Sequence, residues 1–147
     1  MSNTEGLSES VPLLISVPDA ERLMLQTRFV RNQFEAEILA DLETRIRAAK
    51  LLEPVAVPPD LVTMNSRLIF EDESTGERRE IAIVYPQDAD ASKGNVSVLA
   101  PVGTALLGLS TGQSIVWPFP DGSARTLQVI SLLYQPEAAE DAYADHG

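Results

Sequence analysis

LAPVGTALLGLSTGQSIVWPFPDGSARTLQVISLLY, residues 99–134, carries the densest structural signal in the chain. Ala100-Pro101-Val102-Gly103 leads into Thr104-Ala105-Leu106-Leu107. Proline suits an early helical position and Gly108 suits a left-handed stop, so the spacing predicts one short, buried helix. Ser114 to Trp117 then reads as a strand, Asp121-Gly122 as a turn, and Ala124 to Tyr134 as a long strand whose alternation is broken by an apolar run. Leu106, Leu107, Ile115, Val129, Ile130 and Leu132 are the expected core of this stretch.

Toward the N-terminus, Val96 to Leu99 reads as another strand and Gln87 to Gly94 as a polar loop. Arg67 to Glu71 and Glu80 to Tyr85 read as two strands joined by the turn Glu73-Ser74-Thr75-Gly76, the second closed by Pro86. Asp60 is placed to cap a helical turn running through Met64. Pro54, Pro58 and Pro59 make a stiff connection, and the expected domain boundary falls there. Ahead of it, Ser16 with Asp19 three residues on, and Pro18 in the first turn, predict a helix start. That helix carries Ala20, Leu23, Met24 and Thr27. A second helix places Phe34, Ile38, Leu42, Ile46 and Ala49 on one stripe, with Asp41–Arg45 and Glu43–Arg47 as i,i+4 pairs on its outer face. Roughly 17 residues at about 1.5 Å each make an arm on the order of 25 Å long. The short link near Phe29 to Gln33 implies an antiparallel helical hairpin.

The expected organisation is therefore α+β: a disordered stretch over 1–15, a helical hairpin over 16–53, a domain over 54–135 with about five antiparallel strands and one short helix, and a mobile acidic tail over 136–147. Residues 1–11 are polar and aperiodic, and 12–16 add a short apolar run.

The 147 residues and 44% hydrophobic content suffice for a modest core. The chain has no cysteine, which removes disulfides and thiolate metal sites. No apolar run approaches the roughly 20 residues of a spanning helix and no basic lead precedes an apolar core, so a soluble, cytoplasmic protein is expected. A net charge of −11 argues against binding a phosphate backbone directly, because such proteins depend on clustered Lys and Arg.

The order of APVGxALLG, a strand, a turn and a strand ending in Tyr134 resembles the C-terminal domain of the bacterial Gre transcript-cleavage factors. MNSRLIF at 64–70, IVYP at 83–86 and YQPEAAED at 134–141 narrow the resemblance to the branch of that superfamily described as regulators of nucleoside diphosphate kinase. The resemblance implies an FKBP-like arrangement of the sheet domain. It further implies binding to bacterial RNA polymerase near its secondary channel, in competition with Gre-type factors, with an effect on nucleoside diphosphate kinase levels. The rim-docking positions it implies are Leu99, Ala100, Pro101 and Val102; the channel-facing tip is Arg28, Phe29, Arg31, Asn32 and Gln33.

In Gre factors, carboxylates at the tip of a long coiled coil help to hold a second Mg²⁺ ion. Such chemistry needs acidic oxygens where the arm reaches the active centre. Residues 28–34 here read RFVRNQF, with no Asp or Glu. Glu35 and Glu37 are the nearest carboxylates and read as first-turn acids of the second helix, favourable against its dipole. No catalytic residue, metal site or cofactor is expected, and the protein is expected to be a monomeric, non-enzymatic regulator. Two alternatives stay open: a cleavage factor using Glu35 or Glu37, and a peptide-binding module in which Tyr85, Trp117, Phe119 and Tyr134 line an aromatic pocket. His146, the single histidine, stands in the acidic tail without partners in sequence.

Overall fold

A computed structural model describes residues 12–25 and 30–139. Thr27, Arg28, Phe29, the polar first 11 residues and the tail from 140 onward, His146 included, lie outside the described residues.

The elements run β1 (Leu14–Ser16), α1 (Val17–Met24), α2 (Gln33–Arg47), β2 (Lys50–Leu52), β3 (Arg67–Asp72), β4 (Glu77–Val84), β5 (Asn95–Ser97), α3 (Pro101–Leu106), β6 (Ser114–Pro118) and β7 (Ala124–Tyr134). The architecture is mixed α+β, with a five-stranded sheet in the order β5-β4-β3-β7-β6 and a separate two-stranded sheet, β1-β2.

Strand direction departs from the sequence-based expectation. β3–β4, β3–β7 and β6–β7 are antiparallel, but β5 runs parallel to β4, with Ala82 opposite Asn95 and Val84 opposite Ser97. Two 3-10 turns, Pro86–Asp88 and Ala91–Lys93, carry the chain back along the sheet, and Gly94 at φ 73° completes the return. The expected polar loop is thus a compact crossover. A three-residue strand has too little alternation to reveal its direction. In β7 the interrupted alternation has a clear cause. Its register against β3 shifts between Arg67 and Leu68 and again between Ile69 and Phe70, so the strand changes which residues face inward.

The expected disorder over 1–15 is corrected at its inner end. Leu14–Ser16 pairs in parallel with Lys50–Leu52, and Leu13 and Ile15 are buried. Gly108, at φ 87°, lets this strand pass close: a Cβ there would meet Leu13 Cδ1 at 2.5 Å. The helical turn expected from Asp60 to Met64 does not form; Leu61 instead bridges Ser110. The acidic tail begins with ordered chain, since residues 136–139 are helical. Gln135 Nε2 there donates to the carbonyls of Pro58 and Leu61, at 2.8 and 2.7 Å.

One cluster of buried side chains contains residues from both sides of the proline-rich connection: Leu23, Leu39, Leu42 and Ile46 with Met64, Leu68, Leu106 and Leu127. The 15 residues of α2 at about 1.5 Å each give a rod on the order of 22 Å. Its C-terminal half is pinned to this core through Leu39, Leu42 and Ile46. The apolar stripe does not extend to the other end, where Phe34 is 40% exposed.

Candidate functional site

Two helix starts carry the candidate positions, and they are built differently. Ahead of α3, the Ser97 side chain accepts from Leu99 N at 3.0 Å and its carbonyl accepts from Ala100 N at 2.9 Å, folding the chain sharply back. Ala100 takes the N-cap position without a side-chain cap, and Pro101 supplies the preset φ of the first turn. Gly103 lies so close to β5 that a Cβ would run into the Ser97 carbonyl oxygen. The loop is therefore held by backbone contacts and steric fit. Of the four positions implied for docking, Leu99 is 1% exposed and belongs to the core. Ala100, Pro101 and Val102 are half-buried and form the outward edge.

At the start of α2 the chemistry is polar. Asn32 is the N-cap, its side chain accepting from Glu35 N at 2.8 Å. Glu35 reaches back, accepting from Arg31 N at 3.0 Å and from the Arg31 guanidinium at 3.4 Å. Glu37 accepts from Gln33 Nε2 at 3.4 Å. This is a variant of the capping box in which the acid serves the residue before the cap. Glu35 is engaged in starting the helix, and Glu37 is engaged by a side chain of its first turn. Among the described residues, no three His, Asp or Glu side chains converge as a metal set. Arg28 and Phe29 of the expected tip lie outside the described residues, while Arg31, Asn32 and Gln33 are exposed.

The aromatic residues do not share one pocket-like partner set. Tyr85 is buried and donates to Asp19 Oδ1 at 3.3 Å, with Arg22 5.4 Å from its ring centroid. Trp117 is stacked by Arg45 at 5.3 Å and Phe119 by Arg125 at 4.6 Å. Tyr134 is half exposed.

Sequence reading missed two groups. Asp19, read only as a helix-start acid, also accepts from Met64 N at 3.2 Å, tying α1 to the turn before β3. Burial pushes its carboxyl up to about 6, with Glu137 adding to the rise. Glu137 itself accepts from Thr63 Oγ1 at 2.8 Å. Burial beside Asp19 likewise raises the Tyr85 phenol. Arg45, read as the outer partner of Asp41, turns inward instead. Its Nη1 donates to both the carbonyl and hydroxyl oxygens of Thr104, each at 3.3 Å. Burial pulls its guanidinium below its ordinary range, with the Asp41 charge opposing. No local spacing signals a contact 59 residues away in sequence.

Residues 57–134 match the family described as Transcription elongation factor, GreA/GreB, C-term. The chain is 42% identical over 130 residues to a regulator of nucleoside diphosphate kinase from Escherichia coli K12, covering 88% of this chain and 94% of that protein. It is 32% identical over 94 residues to transcription elongation factor GreA from Azorhizobium caulinodans, covering 64% of this chain but 59% of the relative. A solved GreA/GreB structure from Nitrosomonas europaea superposes with a TM-score of 0.65 at 38% identity, covering 84% of this chain and 98% of that one. No helix among the described residues is long and apolar enough to cross a membrane. By these matches the chain belongs to the GreA/GreB C-terminal family and is a transcription-related regulator.

Proposed function

We propose that this protein is a non-catalytic regulator that docks on bacterial RNA polymerase near the secondary channel, competing there with Gre-type factors and so affecting nucleoside diphosphate kinase levels. In this reading the sheet domain has the FKBP-like arrangement implied by the resemblance, and α1 and α2 form a short hairpin that points inward while Ala100, Pro101 and Val102 meet the channel rim. The protein acts as a monomer in the cytoplasm, without sequence-specific contact to nucleic acid. The observation that carries the reading is the contrast between the two helix starts. The loop before α3 is preorganised and moderately apolar, which lowers the ordering cost of docking. The carboxylates Glu35 and Glu37 are held in capping and helix-surface hydrogen bonds.

Retention by purified bacterial RNA polymerase tests the proposal. Binding is expected, as is its weakening in Pro101→Asp or Val102→Glu and its loss to competing Gre factor. No retention at micromolar protein overturns it. In a backtracked elongation complex, the protein is expected to leave the RNA length unchanged with Mg²⁺ present. RNA shortening that disappears in Glu35→Ala would replace this reading with the cleavage-factor one.

A further inference from the structure

Arg45 differs from the arginines that form ion pairs. Arg31, Arg67, Arg78 and Arg125 pair with carboxylates, whereas among the described residues Arg45 has none within ion-pair distance. Its charge is drawn partly out of water against two neutral oxygens of Thr104 and the Trp117 ring. An apolar side chain of similar length would fill such a place with a smaller desolvation cost, so stability alone does not favour a cation there.

The partners explain what the charge does. Thr104 lies in a six-residue helix, where the last carbonyls lack intrahelical donors. Arg45 supplies one of those donors from another element and places positive charge toward the C-terminal half of α3. Trp117 belongs to β6, so Arg45, carried on α2, joins that helix to two further elements, α3 and β6. The other attachments of α2, through Leu39, Leu42 and Ile46, are apolar and tolerate sliding and rotation. Two hydrogen bonds onto one residue plus a stacked ring are directional.

We infer that Arg45 is a positioning residue that sets the angle at which α2 leaves the sheet domain and couples that helix mechanically to α3, the helix that follows the Ala100 loop. The assignment rests on the docking reading only for its biological purpose: what engages Ala100 to Val102 thereby fixes the direction of the arm. The coupling itself is a property of the free protein.

Because the chain has no cysteine, spin labels can be placed at two introduced ones, Ala40→Cys on exposed α2 and Arg79→Cys on exposed β4, in the full-length protein. The parent is expected to show one narrow distance distribution. Arg45→Met is expected to widen it by about twofold while the melting temperature moves by less than about 5 °C, with Arg45→Lys intermediate. Trp117→Leu and Thr104→Val remove one partner each and are expected to widen it less. If Arg45→Met fails to fold, these two variants decide. Unchanged widths in the folded variants overturn the assignment, as does widening that occurs only with general loss of stability. Polymerase retention is read separately: a parent that never binds polymerase refutes the docking proposal and leaves the distance result standing.

Discussion

The loop entering α3 and the turn entering α2 are both helix N-termini, yet they solve the same problem with opposite materials. At Ala100-Pro101 there is no side-chain cap, and position is enforced by Ser97 and by the close approach of Gly103 to β5. At Asn32 the orphan N–H of Glu35 is served by the cap side chain, and Glu35 in turn accepts from Arg31 N ahead of the cap. The difference teaches what each start leaves free: at the start of α2 the acids Glu35 and Glu37 are hydrogen-bonded, whereas the edge at Ala100 to Val102 spends no side chain on its cap. A rigid edge needs only backbone geometry; a metal-binding tip needs acids released from local structure.

The comparison can be broken most severely from the side of the core. Leu42 is fully buried beneath α2, and Leu42→Ala is expected to lower unfolding free energy by about 3 kcal/mol in urea titration. A loss below about 1 kcal/mol would mean that α2 is not anchored as described. Gly103→Ala is next, at about 2 kcal/mol, since the added methyl meets backbone that cannot rotate away. If the variant folds with parental stability, steric fit is not what holds the loop before α3.

Asp19 gives a pH-dependent effect on the order of 2 kcal/mol. Its carboxyl sits at about 6 in the folded chain against 3.8 as the reference, so the folded state binds the proton more tightly. The associated stability is present below about pH 4 and is lost as pH rises through about 6. Denaturation measured across that window is expected to show the slope in the parent and a flatter profile in Asp19→Asn. An unchanged slope would assign the dependence elsewhere. The smallest effect sharpens the polar start of α2: Asn32→Ala is expected to cost about 1 kcal/mol and to fray the first turn in hydrogen exchange.

Legibility followed the range of the interactions. The short helix, its Gly108 stop and the Asp121-Gly122 turn were visible because each is set by neighbours in sequence. β1 was not, since three residues gain a strand only by meeting Lys50–Leu52. Leu99 was readable as part of the loop, but its apolar side chain gave no sign of which way it turns. Arg45 was misread for a physical reason: the i,i+4 rule describes an isolated helix surface, and folding offered a second helix and an indole ring instead.

By itself, the sequence determined roughly where the three α-helices and the five strands of the main sheet lie, the absence of thiols, the acidic balance and the lack of acids in residues 28–34. These follow from residue type and short spacing. Only the tertiary structure decided that β5 runs parallel to β4, that the C-terminal half of α2 shares the sheet's core, and that Arg45 and Asp19 bind across elements. Direction, burial and desolvation arise when distant segments exclude water from one another, and that exclusion has no local signature along the chain.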